Sequence, residues 1–501
     1  MKDVEPFGLI VLVIAGFGVL AVLSNRISER VQIPAPAIFL VCAAGASHFQ
    51  PHLSDLSETT VERVVTIAVA TILFDGGMHI GWPRIRQAIG PILAVGVVGT
   101  FLTAAAVAVL AHVAFGFEWW VALLLGTAVA PTDPAVVFSV LGRREISGRS
   151  GTILEGESGA NDPVGIALMG SLLAAGALSA GSATGVAAEF VVQMTVGTLV
   201  GLLGAKGLLW FMRRIALPSE ALYSLRTLAG GFAIFGLATV AQGSGFLAIF
   251  VAGIVLGDAR APYKGEIERF VSALASLGEI VAFVVLGLTV DVAALAQDEV
   301  WLVGLVIAAA LGFFIRPLLV GLVMVPFRLG GHERAFILWA GLKGAVPILL
   351  GTFLLSADVP EGQRVYGIIV VVTIFSVVVQ GGLVPTVARR LKVPMRTLEP
   401  EPWSVAVRLR DEPEGVHRHR VEPGSSADGS TIEDLPVSSD DVWISFVIRS
   451  GEIVPVRGHT ILSPEDDVVV LADPRRREEL TTVFSNPRTQ NPEAKPPPPI
   501  A

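Results

Sequence analysis

Polar and acidic side chains crowd the start of one otherwise apolar segment. Glu157, Ser158, Asn161 and Asp162 lie within one short stretch, directly ahead of Pro163. By some scales an ionisable group inside a bilayer costs about 2.5 to 3.5 kcal/mol, so such a group marks a functional site. Oxygen ligands suit a hard alkali cation, and burial disfavours the charged form of a carboxylate. One buried carboxylate can therefore hold either a proton or a cation, and competition for it is the simplest exchange mechanism.

Two other apolar segments are predicted to break near mid-membrane, at Ala130–Pro134 and at Gly341–Pro347. Proline removes a backbone donor and clashes with the preceding turn. The breaks fall in the fifth and twelfth predicted spans, and this odd offset gives the two repeats opposite topology. Broken helices at corresponding positions of inverted halves indicate the binding site of a secondary transporter. We expect Asp162 to face the break that carries Thr132 and Asp133, because Glu157 and Asn161 share another helix face.

These elements belong to a chain with the composition of a membrane protein. Of its 501 residues 52% are hydrophobic and 16% charged, whereas soluble proteins have about 25% charged residues. A membrane helix needs about 20 apolar residues, and the charged or Gly/Pro-rich loops divide the chain into about thirteen such spans. The predicted spans are residues 6–24, 34–49, 59–77, 88–112, 119–141, 152–176, 186–212, 225–241, 245–257, 271–290, 300–328, 335–356 and 365–387.

Positive charge in the loops predicts the orientation. Lys and Arg collect in every other loop, as expected for the cytoplasmic side of a bacterial inner membrane, and the opposite loops, such as 50–58 and 291–299, are acidic or neutral. The N-terminus is therefore predicted to lie outside and the C-terminal domain in the cytoplasm. The basic loop residues are Arg26, Arg30, Arg84, Arg86, Arg143, Arg144, Arg149, Arg213, Arg214, Arg226, Arg260, Lys264, Arg269, Arg328, Arg334, Arg389, Arg390 and Lys392.

A different pattern follows the last span. Short alternating segments predict a small α+β domain at residues 393–485, and residues 486–501 form a Pro-rich stretch that predicts disorder. Residues 1–392 form the predicted transmembrane domain. The predicted strands are Ser404–Arg410, Val416–Val421, Val442–Arg449, Glu452–Val456 and Val468–Ala472, and a helix is predicted from Pro474 to about Phe484.

The membrane part resembles the monovalent cation/proton antiporter superfamily, in the branch of bacterial NhaP antiporters and animal sodium/proton exchangers. The resemblance covers roughly residues 6–390, with its motifs in the right order on the right spans. It implies thirteen helices, a dimerisation domain, a mobile core, elevator-like alternating access, and exchange of K⁺ or Na⁺ for H⁺ by a homodimer. The motifs that carry the resemblance are Thr132-Asp133-Pro134, Glu157-Ser158-x-x-Asn161-Asp162, Phe74-Asp75, Arg316 and Gly341-Leu342-x-Gly344-Ala345.

The resemblance also implies roles for individual residues. Asp162 is the expected cation and proton site, and Ser158, Thr132, Asp133 and Asp75 are expected to line or support it. For Asp75, which precedes Gly76 and Gly77, a solvated helix end is an equal alternative. Asn161, Glu157 and Arg316 are expected to hold the crossed helices in register. The chain departs from the family at Lys343, where arginine is usual; lysine lacks the planar fork and can lose its proton when buried, so both a structural and a titrating role stay open. Glu279 and Asp258 are expected to face water or to cap a helix, and contact with the ion path is the less favoured alternative for each.

The C-terminal domain resembles the TrkA-C subdomain of RCK (regulator of potassium conductance) modules. The resemblance lies in Val442–Arg449, Ile453–Pro455 and Gly458–Leu471. Such modules dimerise, often bind a small regulatory ligand, sometimes a cyclic dinucleotide, and are common on potassium transporters, so K⁺ is favoured over Na⁺. No G-x-G-x-x-G fingerprint precedes the domain, and a purely structural dimer clamp stays an alternative.

Other classes of protein fit the sequence less well. Gly156-Glu157-Ser158-Gly159 matches the pattern of rhomboid-type intramembrane proteases, but no histidine base lies within a later predicted span. A tail-regulated cation channel would not predict paired broken helices. A single cysteine, Cys42, excludes a disulfide framework or a thiolate metal site. The sequence therefore predicts no enzyme, no cofactor and no nucleic-acid partner, and the expected metal is the transported cation at Asp162.

Overall fold

The chain forms two compact units, Met1–Glu399 and Pro400–Ala501. The structure is a computed structural model, and it describes residues 16, 34–50, 52, 57–141, 144–146, 149–177, 180–259, 261–295, 297, 299–397, 415–437, 442–449 and 452–485. Three predicted elements lie outside these residues: the first span (apart from Gly16), the strand at 404–410, and the C-terminal stretch 486–501. The domain boundaries at 392 and 485 stay predictions.

The first unit is built almost entirely from helices. Over the described residues they are α1 (Ala35–Phe49), α2 (Glu58–Leu93), α3 (Gly99–Phe115), α4 (Trp119–Val129), α5 (Pro134–Leu141), α6 (Arg149–Ala175), α7 (Ala180–Arg214), α8 (Glu220–Val240), α9 (Gly245–Gly257), α10 (Lys264–Leu288), α11 (Val292–Leu295), α12 (Val300–Ala310), α13 (Gly321–Val323), α14 (Gly331–Trp339), α15 (Ala345–Ser356), α16 (Gly362–Phe375) and α17 (Gly382–Arg390).

The length and composition of these helices suit a bilayer. Among the described residues, seven continuous helical stretches are long and apolar enough to cross a membrane, and α1, α9 and α15 are shorter apolar helices. On α7, large apolar side chains such as Leu203 and Trp210 point outward, as expected where lipid replaces water. The unit is a multi-pass membrane protein; the count of thirteen spans stays a prediction.

Three helical junctions are π-helical turns: Ala94–Val98 joins α2 to α3, Leu311–Val320 joins α12 to α13, and Ser376–Gly381 joins α16 to α17. Such turns widen a helix locally and are frequent at functional sites. Helix α2 also bends at Gly81, whose φ of 64° is left-handed backbone that glycine adopts readily. Asp258, at the end of α9, accepts a hydrogen bond from the Trp82 N–H at 2.9 Å, so its expected capping role is confirmed.

Two groups of helices flank α6. In one group α2, α9 and α10 pack together, and in the other α3 packs on α4 while α16 packs on α12 and α15. Helix α6 contacts α2, α4 and α7. Small residues permit the closest approaches: Gly253 lies against the backbone of Phe74, and Gly126 against the backbone of Ala104. Membrane helices associate through such close packing because lipid offers no hydrophobic driving force.

A short antiparallel ladder joins two distant parts of the first unit. Strand β1 (Arg144–Ile146) follows α5, and β2 (Met395–Thr397) follows α17. Ile146 pairs with Met395 and Arg144 with Thr397. The sequence pattern did not predict either strand, because three residues are too short for an alternating signal.

The second unit has a four-stranded antiparallel sheet in the order β3-β6-β4-β5. The elements are β3 (Val416–Arg420), β4 (Val442–Arg449), β5 (Glu452–Val454), β6 (Asp467–Ala472) and α18 (Arg477–Phe484). Its core holds Val447, Val468 and Val470 together with Leu480 and Phe484 of α18. The expected small α+β domain is therefore present, and each predicted strand within the described residues lies within two residues of its expected bounds.

Candidate functional site

Two interrupted helices meet within the first unit. Helix α4 ends at Val129 and α5 begins at Pro134, while α14 ends at Trp339 and α15 begins at Ala345. Proline at the first helical position is favoured because its missing N–H would have no helical partner. The two non-helical segments are hydrogen-bonded to each other, since the Asp133 N–H donates to the Leu342 carbonyl oxygen at 2.7 Å. The breaks lie where the prolines and glycines predict them.

A positively charged side chain caps the carboxyl end of the first half of each broken helix. The Lys343 Nζ donates to the Ala130 and Pro131 carbonyl oxygens at 2.9 and 3.1 Å, at the end of α4. The Arg316 guanidinium donates to the Leu338 and Ile337 carbonyl oxygens at 2.9 and 3.3 Å, at the end of α14. Helix carboxyl ends carry partial negative charge and unpaired carbonyl groups. Each broken helix is thus stabilised at its break by a side chain from another segment.

Asp133 lies between the two helix beginnings. Its Oδ1 accepts a hydrogen bond from the Ala135 N–H at 2.8 Å, a capping contact for α5. Its Oδ2 packs against Gly344, directly ahead of α15, so closely that any side chain at position 344 would collide with the carboxylate. Helix amino ends carry partial positive charge, and Asp133 is placed to neutralise both of them.

A buried ion pair ties α6 to this crossing. Glu157 Oε1 accepts from the Arg316 NH2 at 2.7 Å and from the Thr132 Oγ1 at 3.1 Å. The Asn161 Nδ2 donates to Thr132 Oγ1 at 2.7 Å. The exposed side-chain fractions of Arg316 and Glu157 are 8% and 2%, and a side chain at Gly341 would collide with the guanidinium. The structure therefore brings together Glu157, Asn161, Arg316 and Thr132 in one network.

Asp162 lies beside that network with spare bonding capacity. It is 6% exposed, and its Oδ2 accepts a long hydrogen bond from the Ser158 Oγ at 3.4 Å. Its Oδ1, like the Asn161 Oδ1, is buried and has no hydrogen-bond partner among the described residues. Asp133 and Lys343 are close enough to interact with it electrostatically. Buried oxygens of this kind can bind a proton or an oxygen-seeking monovalent cation.

Asp75 lies apart from these residues. Its Oδ1 accepts a hydrogen bond from the Ser272 Oγ of α10 at 2.7 Å and lies 3.2 Å from His79 Nδ1. No hydrogen bond between described residues joins Asp75 to Asp162 or to the Glu157 network. Of the predicted ion-binding residues, Asp162, Ser158, Asp133 and Thr132 are therefore grouped at the crossing, and Asp75 lies on the contact between α2 and α10.

The sequence analysis missed two buried polar residues of the third π-helical turn. The Lys343 N–H donates to Ser376 Oγ at 3.0 Å, the Ser376 Oγ donates to Gln380 Oε1 at 3.2 Å, and the Gln380 Nε2 donates to the Trp339 carbonyl oxygen at 2.7 Å. These bonds hold both ends of the break between α14 and α15. The signal was present in the sequence, because a Ser and a Gln four residues apart in an apolar span are expensive in lipid.

The structure contradicts the expected helix-end role of Glu279. It lies in the middle of α10 rather than at a helix end, and its Oε1 atom is buried. A helix-end role is therefore excluded for this carboxylate.

Comparison with known proteins supports the fold and gives the family. The chain is 33% identical to a protein named K(+)/H(+) antiporter NhaP2 of Shewanella oneidensis, over 96% of this chain and 84% of the relative. It is 31% identical to K(+)/H(+) antiporter NhaP of Alkalimonas amylolytica, again over 96% and 84%. The solved structure of the sodium proton antiporter MjNhaP1 from Methanocaldococcus jannaschii aligns with a TM-score of 0.64 at 22% identity, over 76% of this chain and 99% of that one.

Two family models match adjacent parts of the chain. Residues 416–485 match the TrkA-C domain, and this range contains the whole four-stranded sheet and α18. Residues 13–390 match the model described as "Sodium/hydrogen exchanger, transmembrane", and this range contains the crossing and its buried carboxylates. The chain is therefore a member of the sodium/hydrogen exchanger family of transmembrane proteins that carries a C-terminal TrkA-C domain.

Proposed function

We propose that the protein is a secondary-active antiporter that exchanges a monovalent cation for protons across the bacterial plasma membrane. The observation that carries the proposal is Asp162, a buried carboxylate at the helix crossing whose Oδ1 has no described hydrogen-bond partner. Asp162 binds a cation in one half of the cycle and a proton in the other. Ser158, Asn161 and Thr132 supply further oxygens beside it, and Asp133 adds negative charge.

The site needs little net charge change for this exchange. With a proton on Asp162 the carboxyl group is neutral, and with a cation bound the pair is also neutral, so either loaded site can cross the low-dielectric centre at a lower cost than a bare carboxylate. The empty site, with a bare carboxylate, bears the full desolvation cost. Because the site crosses more readily with a proton or a cation bound, movement of one ion in one direction is coupled to movement of the other ion in the opposite direction.

K⁺ is the favoured cation. The relatives from Shewanella oneidensis and Alkalimonas amylolytica are named K(+)/H(+) antiporters, and TrkA-C domains are common on potassium transporters. Na⁺ stays the alternative, because the same hard oxygen ligands bind both ions. Thirteen spans in inverted repeats, a homodimer, an external N-terminus and a cytoplasmic, ligand-responsive C-terminal domain complete the proposal.

The test is the dissipation of a pH gradient in liposomes that contain the full chain. K⁺ and Na⁺ are added separately to wild type, to Asp162→Asn and to the matched control Asp258→Asn. Asn keeps the size of Asp162 but cannot exchange a proton, so we expect at least a hundredfold loss of exchange, the scale seen when one proton-transfer group is removed. Asp258 caps a helix, and an Asn oxygen can accept the same bond, so that variant should exchange normally.

The outcomes separate the candidate functions. Robust exchange in Asp162→Asn would remove Asp162 from its role. Cation current without proton movement in wild type would favour a channel instead of an antiporter. The cation that moves protons at the lower concentration identifies the substrate.

A further inference from the structure

A carboxylate outside the Glu157 network lies halfway along α10. Glu279 is partly buried, and its Oε1 atom is fully buried with no hydrogen-bond partner among the residues that the structure describes. A buried polar atom without a partner is costly. In a membrane helix such a group indicates a functional role.

The surroundings of Glu279 include the helix crossing. Helix α10 packs against α15. Helix α15 begins directly after Gly344, and the Asp133 carboxylate packs against that glycine. Asp133 and Glu279 are close enough to repel each other electrostatically, and Asp133 and Asp162 repel each other in the same way. Asp133 therefore interacts electrostatically with both of the other carboxylates. The Oδ1 of Asp162 is buried and has no hydrogen-bond partner among the described residues.

Glu279 also ends a polar stripe on α10. Glu268, Ser272 and Glu279 are separated by four and then seven residues, spacings that keep side chains on one face of a helix. Ser272 holds the Asp75 carboxylate of α2 at 2.7 Å. From Ser272 to Glu279 the helix rises about 10 Å. The face of α10 that contacts Asp75 of α2 through Ser272 is thus also the face that carries Glu279.

We propose that Glu279 is an ion-binding carboxylate of the transport path, which holds the monovalent cation together with Asp133 as the ion passes between the α10 stripe and Asp162. This inference rests on the proposed exchange and deepens it. A partly dehydrated cation needs oxygen ligands at each stop, and Glu279 on α10 and Asp133 ahead of α5 both supply anionic oxygens. The cation in turn relieves the repulsion between the two carboxylates. A glutamic acid with only a packing role would not affect cation affinity.

The experiment measures the K⁺ concentration that gives half-maximal exchange in the liposome assay. The variants are Glu279→Gln, Glu279→Asp and the control Glu266→Gln; Glu266 is on the same helix, off the stripe, in a surface ion pair with Arg269 at 3.1 Å. We expect Glu279→Gln to raise the half-saturating concentration about tenfold, the scale of one charge removed from a poorly screened site, with the maximal rate retained. Glu279→Asp should raise it less, and Glu266→Gln should match wild type.

A wild-type half-saturating concentration in Glu279→Gln would overturn the inference while leaving the exchange function intact. Partial misfolding cannot imitate the expected result, because it lowers the maximal rate and not the apparent affinity. If Glu279→Gln cannot be purified as a folded protein, an unchanged affinity in Glu279→Asp would overturn the inference equally. Absence of exchange in wild type would overturn the proposed function, and this inference with it.

Discussion

Removing Arg316 should destabilise the protein far more than removing an exposed arginine. Arg316→Met deletes the partner of Glu157, which is only 2% exposed on its side chain, and the donors to two carbonyl groups of α14. Glu157 would keep only its bond from Thr132. An uncompensated buried charge costs about 3 to 5 kcal/mol. Removing Arg316 also removes the cost of burying its charge, and the range of about 3 to 5 kcal/mol already includes that gain.

The double variant Glu157→Gln/Arg316→Met removes both charges and should recover about half or more of that loss, because a neutral buried pair carries no uncompensated charge. The double-mutant cycle, completed by Glu157→Gln alone, should therefore give a coupling energy of at least about 1.5 to 2.5 kcal/mol, half of the loss in Arg316→Met. In a large domain each kcal/mol of destabilisation lowers the Tm by about 2 °C. The loss of about 3 to 5 kcal/mol in Arg316→Met should therefore lower the apparent Tm by roughly 6 to 10 °C.

Thermal unfolding of the detergent-solubilised protein, followed by size-exclusion chromatography of the heated samples, measures these shifts. Arg269→Met is the control, because Arg269 pairs with Glu266 in solvent with a side-chain exposure of 77%, and exposed pairs contribute about 0 to 1 kcal/mol. If Arg316→Met and Arg269→Met unfold at the same temperature, the buried pair does not stabilise the crossing and the reasoning fails.

Two further predictions concern close packing at the crossing and the C-terminal domain. Gly344→Ala should reduce exchange at least tenfold, because the new methyl group must displace the Asp133 carboxylate, an overpacking that costs about 1 to 3 kcal/mol. Gly331→Ala, at an open position at the start of α14, is the control, and equal rates in the two variants would show that Asp133 tolerates displacement. Deletion of residues 400–501 should leave exchange intact but change its response to pH or to added cyclic dinucleotides in the liposome assay; loss of all exchange would instead indicate a structural role.

The sequence predicted the parts of the site that depend on local chemistry. Pro131, Pro134 and Pro347 predicted where helices break, because proline acts on its own turn. The acidic stretch around Asp162 was identified by the cost of charge in lipid. Each of these signals lies within a few residues along the chain.

Features that depend on contact between distant segments could not be predicted in the same way. Nothing in the residues around Lys343 indicates that its ammonium group binds the Ala130 and Pro131 carbonyl groups. Glu279 was expected at a helix end or in water, because its burial depends on the packing of α10 against α15. The hydrogen bond of Asp75 likewise comes from Ser272, a residue of another helix that no motif included.

The ladder between β1 and β2 has a mechanical consequence. Strand β2 is the last described segment before the chain enters the C-terminal unit, and β1 is the segment that follows α5. A force on β2 would load the pairing of Ile146 with Met395, and hence the strand that follows the short helix capped by Asp133. Three residue pairs therefore fasten the end of the membrane domain to the segment that follows the broken helix.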